Sequence, residues 1–369
     1  MNILHLYKDY HPVLGGIENY IKALAEAQAA AGHQVTVLVC DPGPKTRTEV
    51  MNGVNVIKAG RLFTAASMPL SLSQPLQLLR QRPDIVHLHA PYPLGEFSNW
   101  LLGRAKAAVI TYHSDIVRPN QQKWLRVYGP ILRRVLRRVD RVIPTSPPYI
   151  DSSPWLRPVR DKCTPIPIGI DVDRFKPDRP LNRRSDSVFH LLCVGLLRYY
   201  KGLDTLIEAL PYIPDTHLTI VGSGPMEDEW QALAASRNLA DRITFAGAVS
   251  DDELPAYYHQ ADLFVLPANA RSEAFGMVLV EAMAAGRPCV TTELGTGTSW
   301  IVQHGQTGLV VPPMNPPALA EAINTLRTNE ALRYRFAQAS LARARAEFAH
   351  PVMVNRMMQI YEQVSGHLT

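Results

Sequence analysis

Residues 262–293 read DLFVLPANARSEAFGMVLVEAMAAGRPCVTTE, and their order of apolar runs and breaks decides the fold. The run from Asp262 to Pro267 has the length and apolarity of a buried strand, and a polar loop follows it. A helix-length apolar segment then begins at Phe275 and is closed by Gly286, and a second β-rich run starts at Pro288. Strand, helix, strand is the unit of a parallel sheet with helices on its faces. The pattern extends in both directions. VFHLLCVG, HLTIVG and RITFAG stand upstream and GLVVPP downstream. Further upstream NILHLY, QVTVLVC, VNVIKA, DIVHLH, AAVITYH and RVIPTS repeat it, with helix-length segments such as IENYIKALAEAQAAAG among them. The fold class is α/β, with doubly wound parallel sheets.

A chain of 369 residues exceeds what one hydrophobic core usually serves. The alternation is interrupted by PIPIGIDVDRFKPDRPLNRRSDS, residues 165–187, which reads as a linker. Two Rossmann-like domains are therefore expected, over 1–170 and 171–350, with a C-terminal helix over 351–369 packing back on the first. Such sheets bind ligands beyond the carboxyl ends of their strands, so the ligand is expected in a cleft that the two domains face.

Thirty-eight basic against 33 acidic residues give a formal charge of +5, which suits an acidic partner. In QQKWLRVYGPILRRVLRRVDR, Lys123, Arg126, Arg133, Arg134, Arg137, Arg138 and Arg141 fall on a helix-like pattern. It reads either as a face that docks on anionic membrane lipid or a lipid diphosphate, or as the solvated side of a helix packed on a sheet. No nucleic-acid-binding motif accompanies the charge, so nucleic acid is not an expected partner. No segment is long and uncharged enough to span a bilayer, and MNILHLYKDYHP lacks the basic region of a secretory leader. The expected location is cytoplasmic, peripheral at most on the inner face of the cell membrane. Cys40, Cys163, Cys193 and Cys289 are scattered and read as buried thiols.

The first strand runs into KDYHPVLGGIENY, placing Gly15 and Gly16 before a helix, where free N–H groups can meet a diphosphate. A tight strand-to-helix turn is the competing reading. Asp41 could mimic the ribose-binding acid of a dinucleotide fold, but neither this Gly-Gly nor VGSGPM, with Gly222 and Gly224, has the G-x-G-x-x-G spacing. A nicotinamide-dependent dehydrogenase is disfavoured. In VGLLRYYKGLDTLIEAL, Arg198 and Lys201 follow a strand, where two cations can neutralise a departing phosphate.

Glu273 falls in the loop of the opening stretch and Glu281 two turns into its helix. Eight residues of helix span about 12 Å, too far for the paired acids of a glycoside hydrolase. The two carboxylates must do different jobs. Gly276 lets the amides of Phe275, Gly276 and Met277 reach phosphate oxygens, and an acid on each side can bond the hydroxyls of two sugars, one of them a ribose.

Taken together, Gly-Gly-x-Glu at Gly15 to Glu18, TYHSD around His113, RYYKG around Lys201, VGSGP, and Glu273-x7-Glu281 resemble the family-4 retaining glycosyltransferases of the GT-B fold over essentially the whole chain. The resemblance implies that Glu273 contacts the donor sugar, that Glu281 binds the nucleotide ribose, and that Arg198 and Lys201 stabilise the diphosphate. It places His113 beside the donor sugar, and Ala248 and Val249 of GAVSDDEL near the base. One departure is Leu196, where many members carry arginine directly after the glycine. LRYYKG, HSDIV, RSEAFG and GTGTS resemble the bacterial O-antigen and lipopolysaccharide mannosyltransferases, which implies GDP-mannose as donor and a glycan or lipid-linked acceptor.

Asp171 and Asp173 spell the D-x-D of metal-dependent transferases, but they lie in the linker and read as a turn. No other His, Cys or carboxylate cluster has convincing ligand spacing, so neither a metal nor another cofactor is expected. The same residues allow two alternatives: a nucleotide-sugar-binding protein without turnover, or a UDP-sugar-dependent transferase with a small-molecule acceptor.

Overall fold

The structure, a computed structural model, describes residues 1–13, 15–65, 68–116, 122–177 and 188–366. The chain divides into two compact units: Met1–Gly169 together with His350–Thr369, and Ile170–Ala349.

Unit 1 carries strands β1 (Asn2–Leu6), β2 (Gln34–Cys40), β3 (Arg47–Met51), β4 (Val54–Ala59), β5 (Phe63–Ala65), β6 (Met68–Leu70), β7 (Ile85–Ala90), β8 (Ala107–Tyr112) and β9 (Arg141–Pro144). Its helices are α1 (Gly16–Ala30), α2 (Ser73–Leu79), α3 (Pro93–Leu102), α4 (Gln122–Arg138) and α5 (Pro147–Ser152). The main sheet has the order β3-β4-β2-β1-β7-β8-β9. Every residue of β7, IVHLHA, is buried, as a central strand covered on both faces must be. Helix α1 turns Tyr20, Ile21, Leu24, Ala25 and Gln28 inward, the spacing of a single helix face.

Two features depart from the expected uniform parallel sheet. Strand β3 pairs antiparallel with β4, because Asn52 and Gly53 both adopt positive φ (48° and 81°) and make the tight turn that a hairpin needs. Phe63–Ala65 and Met68–Leu70 form a second antiparallel pair, apart from the main sheet.

In unit 2 the strands are β10 (Phe189–Val194), β11 (Thr216–Val221), β12 (Ile243–Gly247), β13 (Leu263–Leu266), β14 (Cys289–Thr292) and β15 (Gly308–Val311). The helices are α6 (Leu203–Ala209), α7 (Glu227–Ser236), α8 (Leu254–Gln260), α9 (Met277–Ala284), α10 (Thr298–Ile301), α11 (Pro316–Thr328) and α12 (Glu330–Glu347). The sheet order is β12-β11-β10-β13-β14-β15, with every pair parallel. The connections run one way from β10 and the other way from β13. These neighbouring strands are thus the switch point at which such sheets open a crevice. Asn315 and Asn329 cap α11 and α12 by accepting from the backbone N–H three residues on, at 3.0 and 2.9 Å. After α12 the chain returns to unit 1 as α13 (His350–Gly366), which packs on α1.

The basic stretch is shorter as a helix than its charge pattern implied. Helix α4 ends at Arg138, and Arg141 opens β9. Leu132, Val135, Leu136 and Val139 are buried, while Arg126, Arg133, Arg134, Arg137 and Arg138 are exposed. The apolar side is buried, and among the described residues the arginines and Pro130 face out. The side chains of Lys123, Trp124, Leu125 and Val127 lie outside the described residues. The Asp-x-Asp at Asp171 is a turn: its Oδ1 accepts from the backbone N–H of Asp173 at 3.2 Å and of Arg174 at 3.4 Å.

Candidate active site

In unit 2 the loop after β10 holds Gly195 at φ 146°, a conformation that side chains rarely adopt. A Cβ there would stand 2.9 Å from both Cε and Nζ of Lys201. The missing side chain is what lets Lys201 pass close over the strand end. Residues Tyr199–Lys201 form one turn of 3₁₀ helix, and Gly202, at φ 67°, then starts α6. From the neighbouring strand, the loop after β13 is stitched to the first by Asn269 N–H donating to Tyr200 O at 3.0 Å. Thr296 Oγ1 donates to Glu273 O at 2.9 Å, which fixes the backbone of that loop.

These constraints bring Lys201 Nζ to 2.7 Å from Glu273 Oε2, both side chains about nine-tenths buried. Burial opposes the charge on Lys201. The Glu273 carboxylate beside it and their hydrogen bond outweigh that, so its pKa is raised. The side chain of Arg198, half-buried, makes no hydrogen bond or ion pair with the described residues, while its backbone N–H donates to Leu196 O at 2.8 Å and its carbonyl accepts from Lys201 N–H at 2.9 Å. Its guanidinium is the available cation at this strand end. Leu196 is 58% exposed and offers no charge.

Glu281 is nearer the helix start than the sequence suggested, in the second turn of α9, because that helix begins at Met277. Gly276 precedes it at φ 95°, and Phe275 is buried. Tyr258 OH donates to Glu281 Oε2 at 2.7 Å. Burial raises the Glu281 pKa, against the Tyr258 hydrogen bond and the charges of Arg174 and Lys201. Gly222 packs directly on Gly195 O, and Gly224 lies against Leu197, where a Cβ would meet its carbonyl at 2.6 Å. Close packing of two loops therefore accounts for both glycines of VGSGP. Ala248 and Val249 follow the edge strand β12, two strands out from β10.

In unit 1, Gly15 and Gly16 stand at the start of α1 as expected, but the Glu18 carboxylate folds back against Gly15 and accepts from its own backbone N–H. Burial raises its pKa. This helix N-terminus thus already faces an internal carboxyl group, whereas α9 has no acid in its first turn. Asp41 is tied to Arg47 at 2.7 Å and to Gly43 N–H. His113, just past β8, is 4% exposed; burial lowers its pKa to about 3, and its Nδ1 has no hydrogen-bond partner among the described residues.

Sequence reasoning missed the neighbours of His113. His5 on β1 and His87 and His89 on β7 meet at the switch point of this sheet, with ligand atoms within 4.8 Å of one another. The signal was the period-two spacing of the histidines in DIVHLH, which puts both rings on one face. All six of their ring nitrogens are engaged: His5 with Gln28 and His89, His87 with Tyr361 and Thr111, and His89 with His5 and His113. The grouping is a hydrogen-bonded network.

The family description Glycosyl transferases group 1 matches residues 176–343, and Glycosyltransferase Family 4 matches 14–174. D-rhamnosyltransferase WbpZ of Pseudomonas aeruginosa is 37% identical over 338 residues, 88% of this chain and 86% of that one. O-antigen chain mannosyltransferase C of Escherichia coli is 34% identical over 374 residues, 98% of each chain. Among solved structures, sucrose-phosphate synthase from Thermosynechococcus elongatus superposes with a TM-score of 0.79 over 99% of both chains, at 24% identity. Two Rossmann-like units, each with a mainly parallel sheet, and relatives alike over most or all of their length make the chain a member of the group 1 and family 4 glycosyltransferases of GT-B fold.

Proposed function

We propose that this glycosyltransferase moves mannose from GDP-mannose to a hydroxyl of a glycan or lipid-linked acceptor, with retention of anomeric configuration. The observation that carries the reading is the buried Lys201–Glu273 pair at the switch point of unit 2. The amides at the start of α9, Lys201 and Arg198 would hold the diphosphate, with Gly15 and Gly16 as a further backbone contact. Glu281 would hold the ribose, Ala248 and Val249 the base, and Glu273 and His113 the transferred sugar. The choice of mannose rests on the relative named a mannosyltransferase, which matches 98% of this chain; the other relative is named for rhamnose.

In this reading the bond from the sugar carbon to the diphosphate breaks, a bond to the acceptor oxygen forms on the same face, and the acceptor proton passes to the departing diphosphate. Charge on that diphosphate is met by Lys201, Arg198 and helix amides, the work a divalent cation does elsewhere. Transfer is therefore expected to persist in a chelator. The five exposed arginines of α4 would contact anionic membrane lipid.

A thermal-shift panel of nucleotide sugars tests the donor. A ligand at one hundred times its dissociation constant stabilises the fold by about 2.7 kcal/mol. A response to guanosine donors over uridine donors is expected, and a uridine preference overturns the assignment.

A further inference from the structure

The histidines of unit 1 form a directed row. His5 Nε2 meets Gln28 Oε1 at 2.8 Å, His5 Nδ1 meets His89 Nε2 at 3.1 Å, and His89 Nδ1 meets His113 Nε2 at 3.4 Å. Successive rings are tilted by only 19° and 25°, with centroids 5.4 and 5.6 Å apart. The rings therefore meet edge to edge, nitrogen to nitrogen, as in-plane hydrogen bonds require. All three are buried, and burial lowers the pKa of each, to about 4 for His5 and about 3 for His113. Each ring is neutral near pH 7 and carries one N–H.

The hydrogens along the row therefore point one way. The Gln28 oxygen can only accept, so His5 carries its hydrogen on Nε2 and leaves Nδ1 bare. His89 must donate to that nitrogen from Nε2, which leaves its own Nδ1 bare, and His113 must donate in turn. The hydrogen of His113 is used at Nε2, and the row ends on a bare Nδ1, the atom with no partner among the described residues. The reverse polarity requires the Gln28 amide turned end for end, against the Oε1 contact that His5 makes, and would end on a buried His113 N–H with no acceptor among the described residues.

We propose that Gln28, His5 and His89 are positioning residues that commit His113 to one tautomer, hydrogen on Nε2 and lone pair on Nδ1, so that it accepts a hydrogen bond from a hydroxyl of the transferred sugar. The last step rests on the reading of His113 given above; the tautomer does not. An imidazole held this way takes a hydroxyl and turns away a carbonyl or phosphate oxygen, which brings no hydrogen.

Long-range proton–nitrogen NMR of the full chain labelled at histidine reads the tautomer directly. The expected result is an Nε2–H form at His113, with GDP-mannose but not GDP moving the Nδ1 resonance. An Nδ1–H form, or exchange between the two, overturns the proposal, as does one bound zinc per purified chain with its ligands among these rings. Gln28→Leu removes the head of the row and is expected to let His113 populate both tautomers, with kcat down roughly tenfold, the lower end of what losing an imidazole's orienting partner costs at metal sites. Gln28→Glu keeps an acceptor there and is expected to restore the single form, which a merely structural role would not require. If GDP-mannose binds nowhere, the donor assignment fails, and the wild-type tautomer still decides the row.

Discussion

Lys201 and Glu273 stand 2.7 Å apart although they come from loops after two different strands, β10 and β13, the neighbours at which the connections of unit 2 reverse direction. Buried pairs of this kind gain little net stability from their charges, yet removing one partner leaves the other uncompensated.

Glu273→Gln keeps the shape of the side chain and removes its charge, so the Lys201 ammonium would face a neutral amide. Urea unfolding should register a loss of about 3 kcal/mol. Transfer should fall on the order of a hundredfold or more if the pair works on the donor. Near wild-type transfer in this variant and in Lys201→Ala would sink the site.

The raised pKa of Lys201 also fixes a pH dependence. The folded state holds this proton more tightly than the unfolded chain, so its contribution to stability is full below the ordinary lysine value of about 10.4 and is lost as pH rises through the folded value. Denaturation midpoints of the wild type should decline above about pH 10.4 more steeply than those of Lys201→Met. Parallel curves would show that the charge is not held by folding.

Glu96, in the first turn of α3, lies 1% exposed and bonded to Tyr92 N–H at 2.8 Å and to Tyr128 OH. Burial raises its pKa to about 7 despite both hydrogen bonds. Between its ordinary value and about pH 7 the folded protein keeps a proton that the unfolded chain has lost, so stability should fall across that window and then level off. Glu96→Gln, neutral throughout, should flatten this dependence and be more stable than wild type above neutrality, by up to about 3 kcal/mol. A variant with an unchanged pH profile would refute the assignment.

Sedimentation with vesicles containing anionic lipid separates the two readings of α4. Each basic residue near such a surface contributes roughly 1 kcal/mol, so replacing Arg133, Arg134, Arg137 and Arg138 with serine should weaken association on the order of a hundredfold or more, and salt should weaken the wild type likewise. Equal binding of the two proteins would leave these arginines a solvated helix face.

Much of this was legible in the sequence because parallel strands announce themselves as short apolar runs and because function gathers at their carboxyl ends. Lys201, Arg198 and Glu273 could be placed at strand ends without coordinates. Their contact could not, since it depends on which two strands are neighbours, and adjacency in a doubly wound sheet does not follow chain order. The same reason hid the histidine row. His5, His89 and His113 sit on three successive strands of the sheet, β1, β7 and just past β8, and nothing local marks them as partners. Glu281 was seen, while its hydrogen-bond donor Tyr258, on the preceding helix, was not. Asn52-Gly53 did carry a readable hairpin signal, since that dipeptide favours the positive φ of a two-residue turn.

Helix α13 belongs to unit 1, where Tyr361 OH lies 2.6 Å from His87 Nδ1 on the central strand β7. Unit 1 thus begins before unit 2 in the chain and is completed after it. Unit 2 can assemble while translation continues, but the first sheet must wait, one buried imidazole short of its phenol, until residues 350–366 emerge. Nascent chains halted before residue 350 should therefore yield a protease-resistant second half and a first half that is still digestible; equal resistance of both would show that the returning helix is dispensable for folding.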